Sequence, residues 1–473
     1  MTWLGLSILY FACGGFLFYQ AWVHAALMRA HSSEVTTPNA GCHSRLPMVV
    51  QLPMFNEPLV VLRLLDATVD LAWPVPFTIQ ILDDSTDDTS SLVDQWLKNY
   101  KGPHVIHHMR RTRREGYKAG ALQAGLNVLE EPSWIAIFDA DFVPPRDFLE
   151  LTASRLLKHP NAAVVQARWD HLNADVSPLT AVQALNLDAH FAVEQEGRQR
   201  LGVWNSFNGT AGVWRSEAIE AAGGWSHDTL AEDLDLSIRT QKLGWEIVYA
   251  DDIGAPAELP DSMEAYLGQQ RRWTQGGAAC AAKHLREVRK ALGSGRKQFH
   301  ATAQLLASSI HLPVWGMTTL SVPLVVQATV GSGSHWPLRW AAIFMLTLCM
   351  FILLYWTAAL RRNRTRDFPI RMLTMLVLGS GTTWHNAKAA WAGWRRTEAE
   401  FVRTPKRGGG EPTLAPEVVR AGWTLTGRSG EWLHAIWFGL GACWGVMSGE
   451  WGLVPFHLLL MAGYIWVAWA ARH

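Results

Sequence analysis

The chain carries only five cysteines (Cys13, Cys42, Cys280, Cys349 and Cys443), scattered and without a C-x-x-C pair. That scarcity excludes a disulfide framework and a zinc-spaced His/Cys cluster. The thiols read as free, in a reducing compartment or in lipid. Net charge is nearly absent as well, +1 at pH 7, so charge balance offers no footing for nucleic acid as a partner. The first strand-like run also lacks the G-x-G-x-x-G that lets a backbone approach a pyrophosphate, which excludes a Rossmann dehydrogenase. Any diphosphate must be held another way.

Tryptophan, by contrast, is abundant: 25 of 473 residues, many in the last third. Such enrichment suits membrane-interface belts and sugar-stacking platforms, and interface anchoring accounts for most of it. The length exceeds one compact core and allows a soluble domain plus a membrane domain.

Residues 1–45 read as an apolar span (3–28) closed by Arg29, then a polar linker. The span lacks a basic n-region and a small-residue cleavage site, so it is expected to be retained. Residues 46–275 alternate strand-length apolar runs (48–52, 77–82, 104–107, 134–138 and 163–167) with helix-like stretches (57–71, 88–100, 117–129 and 146–158). This alternation predicts an α/β domain with a largely parallel sheet, whose ligands sit beyond the carboxyl ends of the strands. Residues 276–303 mix alanine with Lys283, Arg286, Arg289, Lys290, Arg296 and Lys297, as a basic helix on the inner leaflet or a plain surface helix does.

Residues 304–473 hold the apolar stretches 305–330, 337–360, 432–447 and 451–469. The basic loop 361–366 should face the cytoplasm. Residues 371–394 carry His385, Asn386 and Lys388 between basic flanks, which points to a re-entrant or interfacial segment ahead of a cytoplasmic loop at 395–430. The expected topology is five spans plus one partial entry, with the soluble domain cytoplasmic.

Asp139-Ala140-Asp141 ends the run 134–138. Two carboxylates so placed can share a divalent cation that clamps a diphosphate leaving group. Alone, D-x-D is a weak signal, common in surface loops. Asp83 and Asp84 end an earlier run, where an acid can take hydrogen bonds from a ribose or a base, or simply cap the next helix. Lys118, beyond Arg113-Arg114-Glu115-Gly116, adds positive charge, unless 110–114 is only a solvated basic loop. Glu232, Asp233 and Asp235 open a helix, where acids gather for dipole reasons alone; Asp233 is also placed to be a general base. Phe207–Gly212 is a glycine-bearing turn, and Gln269, Arg272 and Trp273 join an amide, a phosphate-binding guanidinium and a sugar-stacking indole.

Together, Val50-Gln51-Leu52-Pro53-Met54-Phe55-Asn56-Glu57, Leu82-Asp83-Asp84-Ser85-Thr86-Asp87, Gly116-Tyr117-Lys118-Ala119-Gly120-Ala121-Leu122 and Phe138-Asp139-Ala140-Asp141-Phe142 form an ordered set. With Phe207-Asn208-Gly209-Thr210-Ala211-Gly212, Ala231-Glu232-Asp233 and Gln269-x-x-Arg272-Trp273, this set resembles the family 2 glycosyltransferases of the cellulose synthase superfamily. The resemblance is nearest to the cellulose-synthase-like mannan and glucan synthases, and Phe401-Val402-Arg403-Thr404-Pro405-Lys406 looks like their cytoplasmic gating loop. Ala231 departs from the family, which often has Thr there, and the expected spans are fewer than in cellulose synthase.

The resemblance implies a GT-A fold and an inverting, metal-dependent hexosyl transfer from a nucleotide sugar, GDP-mannose or UDP-glucose. It implies that Asp83, Glu57, Lys118 and Asp139 contact the donor, and that Asp139 and Asp141 bind Mg²⁺ or Mn²⁺. Asp233 becomes the base, with Glu232, Gln269, Arg272 and Trp273 serving phosphates and acceptor. The expected setting is the inner membrane, with a glycan as acceptor and a β-linked glucan or mannan as product. Single-hexose transfer to a membrane lipid is the alternative. A transporter or signalling protein with a dead transferase domain is disfavoured, because a dead site needs no such complete set.

Overall fold

The computed structural model describes residues 3–30, 47–330, 336–397, 404, 406, 408 and 428–470. Helix α1 (Trp3–Arg29) precedes a seven-stranded sheet built of β1 (Met48–Met54), β2 (Thr78–Asp83), β3 (Val105–Arg110), β4 (Trp134–Ile137), β5 (Ala162–His171), β6 (Gly212–Arg215) and β7 (Glu246–Ala257). The order is β3-β2-β1-β4-β6-β5-β7, and every pairing is parallel except those of β6 with β4 and β5. Strands β1 and β4 are buried along their whole length, as central strands covered on both faces must be. The chain leaves β1 for β2 on one side and returns to β4 on the other, which opens a crevice at their carboxyl ends.

Helices α2 (Val61–Val69), α3 (Thr89–Asn99), α4 (Tyr117–Leu126) and α5 (Phe148–Lys158) follow the first four strands and cover the sheet. After β5 come α6 (Pro178–Ala189), a π-helical turn (His190–Gln195) and α7 (Glu196–Leu201), with α8 (Ser216–Ala221) and α9 (Glu232–Lys242) flanking the later strands. Strands β6 and β7 escape the sequence reading for physical reasons. β6 spans four residues, and β7 carries Asp251, Asp252, Gly254 and Pro256, which hide its strand character.

Helix α10 (Met263–Leu292) runs unbroken across 275–276, where the sequence reading drew a boundary. Gly276 allows it to approach Ala231 closely, since a Cβ there would lie 2.9 Å from the Ala231 methyl. The helix ends instead at Gly293, with φ +65°.

Then follow α11 (Arg296–Leu305), α12 (His311–Val330), α13 (Trp336–Arg361), α14 (Phe368–Trp394), α15 (Ser429–Ser448) and α16 (Val454–Ala470). Among the described residues, three helices are long and apolar enough to cross a membrane: Leu4–Arg29, Ala307–Val330 and Trp451–Ala470. Helix α14 is regular throughout and packs against the sheet-side elements. Its start packs on Leu185 and pairs Arg371 with Asp175, while His385 reaches the Leu267 carbonyl and Gly393 abuts α10. Its start therefore rests on α6 and its end on α10.

The basic loop is docked there too. Arg362 grips the Asp251 carboxylate with two nitrogens, and Arg361 donates to Ala192 O and Met28 O. Whichever side of the membrane holds this loop also holds the sheet.

Candidate active site

The carboxyl ends of β1 and β4, the start of α9 and the first turns of α10 enclose one cavity of about 230 Å³. Its lining includes Glu57, Lys118, Asp139, Asp141, Glu232, Asp233, Gln269, Arg272 and Trp273, residues spread over more than 200 positions of sequence. Asp83 is the exception. Its fully buried carboxylate accepts hydrogen bonds from Ser85 N, Ser90 Oγ and His108 Nε2, at 2.8, 2.6 and 2.9 Å. Burial alone would raise the Asp83 pKa, but these donors hold it well below the carboxylate range, and the same contact raises that of His108. Asp83 thus braces the start of α3 beneath the cavity.

The carboxylate that faces the cavity at this strand end belongs to Asp84. The expected donor contact, Asp83, thus lies outside the cavity lining, as strand alternation explains, since consecutive side chains leave a strand on opposite faces.

Asp84 is gripped by Arg111 through Nε and a second guanidinium nitrogen. Arg111 also donates to Glu115 O and Tyr117 O, holding a turn in which Gly116 and Tyr117 both have positive φ. Arg114 lies over the Phe55 ring, 3.5 Å from its centroid. The loop 110–114 is thus docked on the ends of β1 and β2, and it delivers Lys118 at the head of α4.

Lys118 Nζ bonds Asp139 Oδ1 at 2.5 Å and Gly209 O at 3.0 Å. Burial would lower the Lys118 pKa, but Asp139, Glu232 and Asp233 together raise it, so the ammonium is retained. Asp141 is paired in the same way, with Lys406 Nζ at 2.6 Å. Of the 401–406 motif only Thr404 and Lys406 lie among the described residues, and both enter the cavity: Arg272 donates to Thr404 Oγ1 at 2.7 Å. Sequence reasoning had the motif but not its contacts.

The start of α9 differs. Asp233 accepts the Leu234 N–H at 2.7 Å, and burial with the neighbouring Glu232 charge pushes its pKa up to about 7. Glu232 is raised as well, chiefly by burial. Gly209, with φ +86°, passes so close that a Cβ there would lie 3.0 Å from Asp233 Oδ2 and 3.5 Å from Lys118 Nζ. A glycine is required at that position, and it brings the base candidate beside the lysine. The third acid, Asp235, points away into a buried cage of Lys283, His284 and Arg239.

At the other end, Trp273 stands 6.4 Å from Trp169, the rings tilted by 51°. Trp169 and His171, both from β5, also line the cavity, and neither was singled out from sequence. An isolated indole on a strand reads as core.

Among the described residues, no group of three His, Cys, Asp or Glu side chains is assembled to hold a metal. Asp139 and Asp141 still fit one. Each now holds a lysine ammonium, so each sits where a positive charge is stabilised, and a nucleotide-bound cation takes its remaining oxygens from phosphate and water.

A GT-A-like sheet, paired acids at the switch-point strand and a buried acid facing them define a glycosyltransferase site. The chain belongs to the family 2 glycosyltransferases of the cellulose synthase-like type: the Glycosyl transferase family 2 model matches residues 49–203 and the Glycosyl transferase family group 2 model residues 134–360. It is 37% identical over 315 residues to a probable glucomannan 4-beta-mannosyltransferase of Oryza sativa subsp. japonica, covering 60% of this chain and 57% of the relative. It is 43% identical over 253 residues to a glucomannan 4-beta-mannosyltransferase of Cyamopsis tetragonoloba, covering 52% and 48%. The chain therefore spans about half the length of the curated relatives it matches. Among solved structures it is similar in fold to a Pyrobaculum calidifontis mannosyltransferase in complex with GDP-Man and Mn2+, with TM-score 0.54 and 19% identity, over 83% of this chain and all of that one.

Proposed function

We propose that the protein is an inverting hexosyltransferase that takes mannose from GDP-mannose, with a divalent cation, and extends a β-linked glycan. The observation that carries this reading is Asp233, a buried acid whose pKa is pushed up to about 7, set beside Lys118 in the same cavity as Asp139 and Asp141. A direct displacement needs one base and no covalent nucleophile, and Asp233, brought beside Lys118 by the Gly209 turn, is the acid assigned to that role. The relatives' names point to mannose rather than glucose.

In this reading Asp139 and Asp141 hold Mg²⁺ or Mn²⁺, whose charge makes the nucleoside diphosphate a better leaving group. Lys118 and Arg272 add positive charge beside the phosphates. Glu57 and Asp84 face the donor. Asp233 takes the proton of the acceptor hydroxyl as its oxygen attacks the anomeric carbon, and the bond to the diphosphate breaks on the opposite face. Trp273 and Trp169 offer stacking faces to acceptor sugars. Lys406 now pairs with Asp141, so a cation bound there takes the place of its ammonium. In this reading the protein is a multi-pass inner-membrane protein with the sheet domain cytoplasmic, a side supported by the basic loop docked on that domain.

One observation favours the lipid-acceptor alternative. A largely apolar groove between α12 and α15 is lined by Pro323, Gln327, Trp437 and Trp444, a surface suited to an acyl or polyprenyl chain. The test is product analysis from purified protein reconstituted in lipid, with Mg²⁺ or Mn²⁺ and labelled GDP-mannose or UDP-glucose offered separately. Label from GDP-mannose in an ethanol-precipitable, mannanase-sensitive polymer is expected. Label moving into organic solvent would replace polymer synthesis with glycolipid synthesis, and incorporation only from UDP-glucose would overturn the donor.

A further inference from the structure

The π-helical turn His190–Gln195 interrupts α6 and α7 where they meet α1, and such turns often mark functional sites. A chain of side chains begins there and ends in the cavity. Its hydrogen-bond directions follow from one fixed acceptor. Ser206 O can only accept, so Gln195 Nε2 donates to it at 3.0 Å and to Asn208 Oδ1 at 3.1 Å. The Asn208 amide nitrogen then donates to His190 Nε2 at 3.1 Å, and His190 Nδ1 donates to Glu194 Oε2 at 3.1 Å. The other carboxylate oxygen, Glu194 Oε1, accepts from His24 Nε2 of α1 at 2.9 Å, while Arg198 also donates to Oε2 at 3.0 Å.

Asn208 lines the cavity, and its neighbour Gly209 carries the carbonyl that Lys118 bonds and the backbone that passes Asp233. Burial would raise the Glu194 pKa, but His190, His24 and Arg198 keep it well below the carboxylate range. The approach of α1 is itself built in. A Cβ at Gly197 would lie 2.7 Å from Leu27 O, and Arg361 bridges Met28 O of α1 to Ala192 O of the π turn.

None of these groups touches the reacting atoms in the proposed reaction. Resting on that reading, we infer that Glu194 is a positioning residue: through His190 it fixes the Asn208–Gly209 turn against Asp233 and Lys118, and through His24 it ties that turn to the first membrane helix. Small displacements of a reacting geometry cost rate rather than donor affinity.

The test is kcat, donor KM and thermal unfolding for Glu194→Gln, Asn208→Ala and the double variant in lipid, with GDP-mannose. Glu194→Gln is expected to lower kcat by about 10- to 100-fold with donor KM unchanged. On an Asn208→Ala background the same change should cost less than about 2-fold, because the link is already cut. A purely structural role would instead lower thermal stability and leave the two losses additive, which overturns the inference, as does full activity in Glu194→Gln. His190→Phe, which breaks the same chain, serves if Glu194→Gln fails to fold. A second readout needs no turnover: hydrogen exchange at the Asn208 amide, now donating to Gln166 Oε1 at 2.8 Å, should quicken in Glu194→Gln. If the wild type transfers from neither donor, the functional reading fails, and this exchange rate alone decides the positioning; an unchanged rate overturns it.

Discussion

The end of β4 and the start of α9 each present two acids to one cavity, yet the two pairs are held in opposite ways. Asp139 and Asp141 each carry a lysine partner, at 2.5 and 2.6 Å, which in the proposed reaction gives way to a divalent cation. Among the described residues, Glu232 and Asp233 have backbone donors and a shared lysine at longer range, with Arg272 also acting on Glu232, and burial drives both pKa values upward. On the proposed reading, identical chemistry is divided by environment: a carboxylate beside an ammonium serves as a charge-binding group, while a buried carboxylate beside another acid serves as a proton acceptor. The difference teaches which acid does what, something no spacing rule supplies.

The strongest way to break that division is Asp233→Asn. Removing the base while keeping the shape should lower kcat by about 10³-fold and leave donor affinity within about 2-fold. Rates from labelled GDP-mannose and a separate donor-binding isotherm decide it. Full activity would remove Asp233 from the chemistry, and equal losses in both would make it a binding residue.

Next in size is the opposite arm. Asp141→Ala should weaken Mn²⁺-dependent donor binding by about 100-fold, while binding without metal changes little. Calorimetry with and without a chelator checks this. Equal loss in both conditions would mean that Asp141 serves only as the seat of Lys406.

How the sequence reading fared depends on the length scale of each signal. The strands 48–52, 77–82 and 134–138 were legible because fully buried parallel strands are uniform apolar runs, and the structure places β1, β2 and β4 within a residue or two of them. The pairs Asp83/Asp84 and Asp139/Asp141 were legible because they end two of those runs, and Glu232 and Asp233 because acids gather where a helix opens. What stayed hidden depends on long-range packing. Asp83 and Asp84 are equivalent in a string, and only the face of β2 sends one to His108 and the other to the cavity. Trp169 reads as core until α10 brings Trp273 to it. The docking of 361–366 on Asp251 and Ala192 joins residues more than 100 positions apart, a contact that charge patterning cannot express.

A smaller effect sharpens the α9 side. With the Asp233 pKa pushed up to about 7, the base is half protonated at neutral pH in the free protein. Activity must therefore fall as pH drops, by about 10-fold per unit once below 7, and level off above it. The kcat/KM profile between pH 5 and 9 reads this limb, and it should vanish in Asp233→Asn. A limb that persists in the variant belongs to another group.

The smallest effect on rate comes from Asp235, two residues beyond the base on the same helix. Its carboxylate is fully buried, held by Lys283 at 2.6 Å, His284 at 2.7 Å and Arg239 at 2.7 Å. Burial would raise its pKa, yet the His284 and Lys283 hydrogen bonds and the Arg239 charge hold it far below the usual carboxylate range. A depressed folded-state pKa means the stabilisation is complete above the unfolded value, near ~3.9, and is lost as pH falls below it. Asp235→Asn takes the carboxylate away from Arg239 and leaves Lys283 to its other partner, Asp228, which should cost about 3 kcal/mol of stability at neutral pH. Donor KM should stay unchanged, and kcat per folded molecule should fall by less than about 3-fold. Thermal melts of both variants separate the roles: Asp233→Asn should keep or raise Tm, because a neutral group then replaces an acid whose ionisation is disfavoured. A Tm loss in Asp233→Asn as large as that in Asp235→Asn would mean that α9 is anchored by all its acids alike, and the division between base and brace would fall.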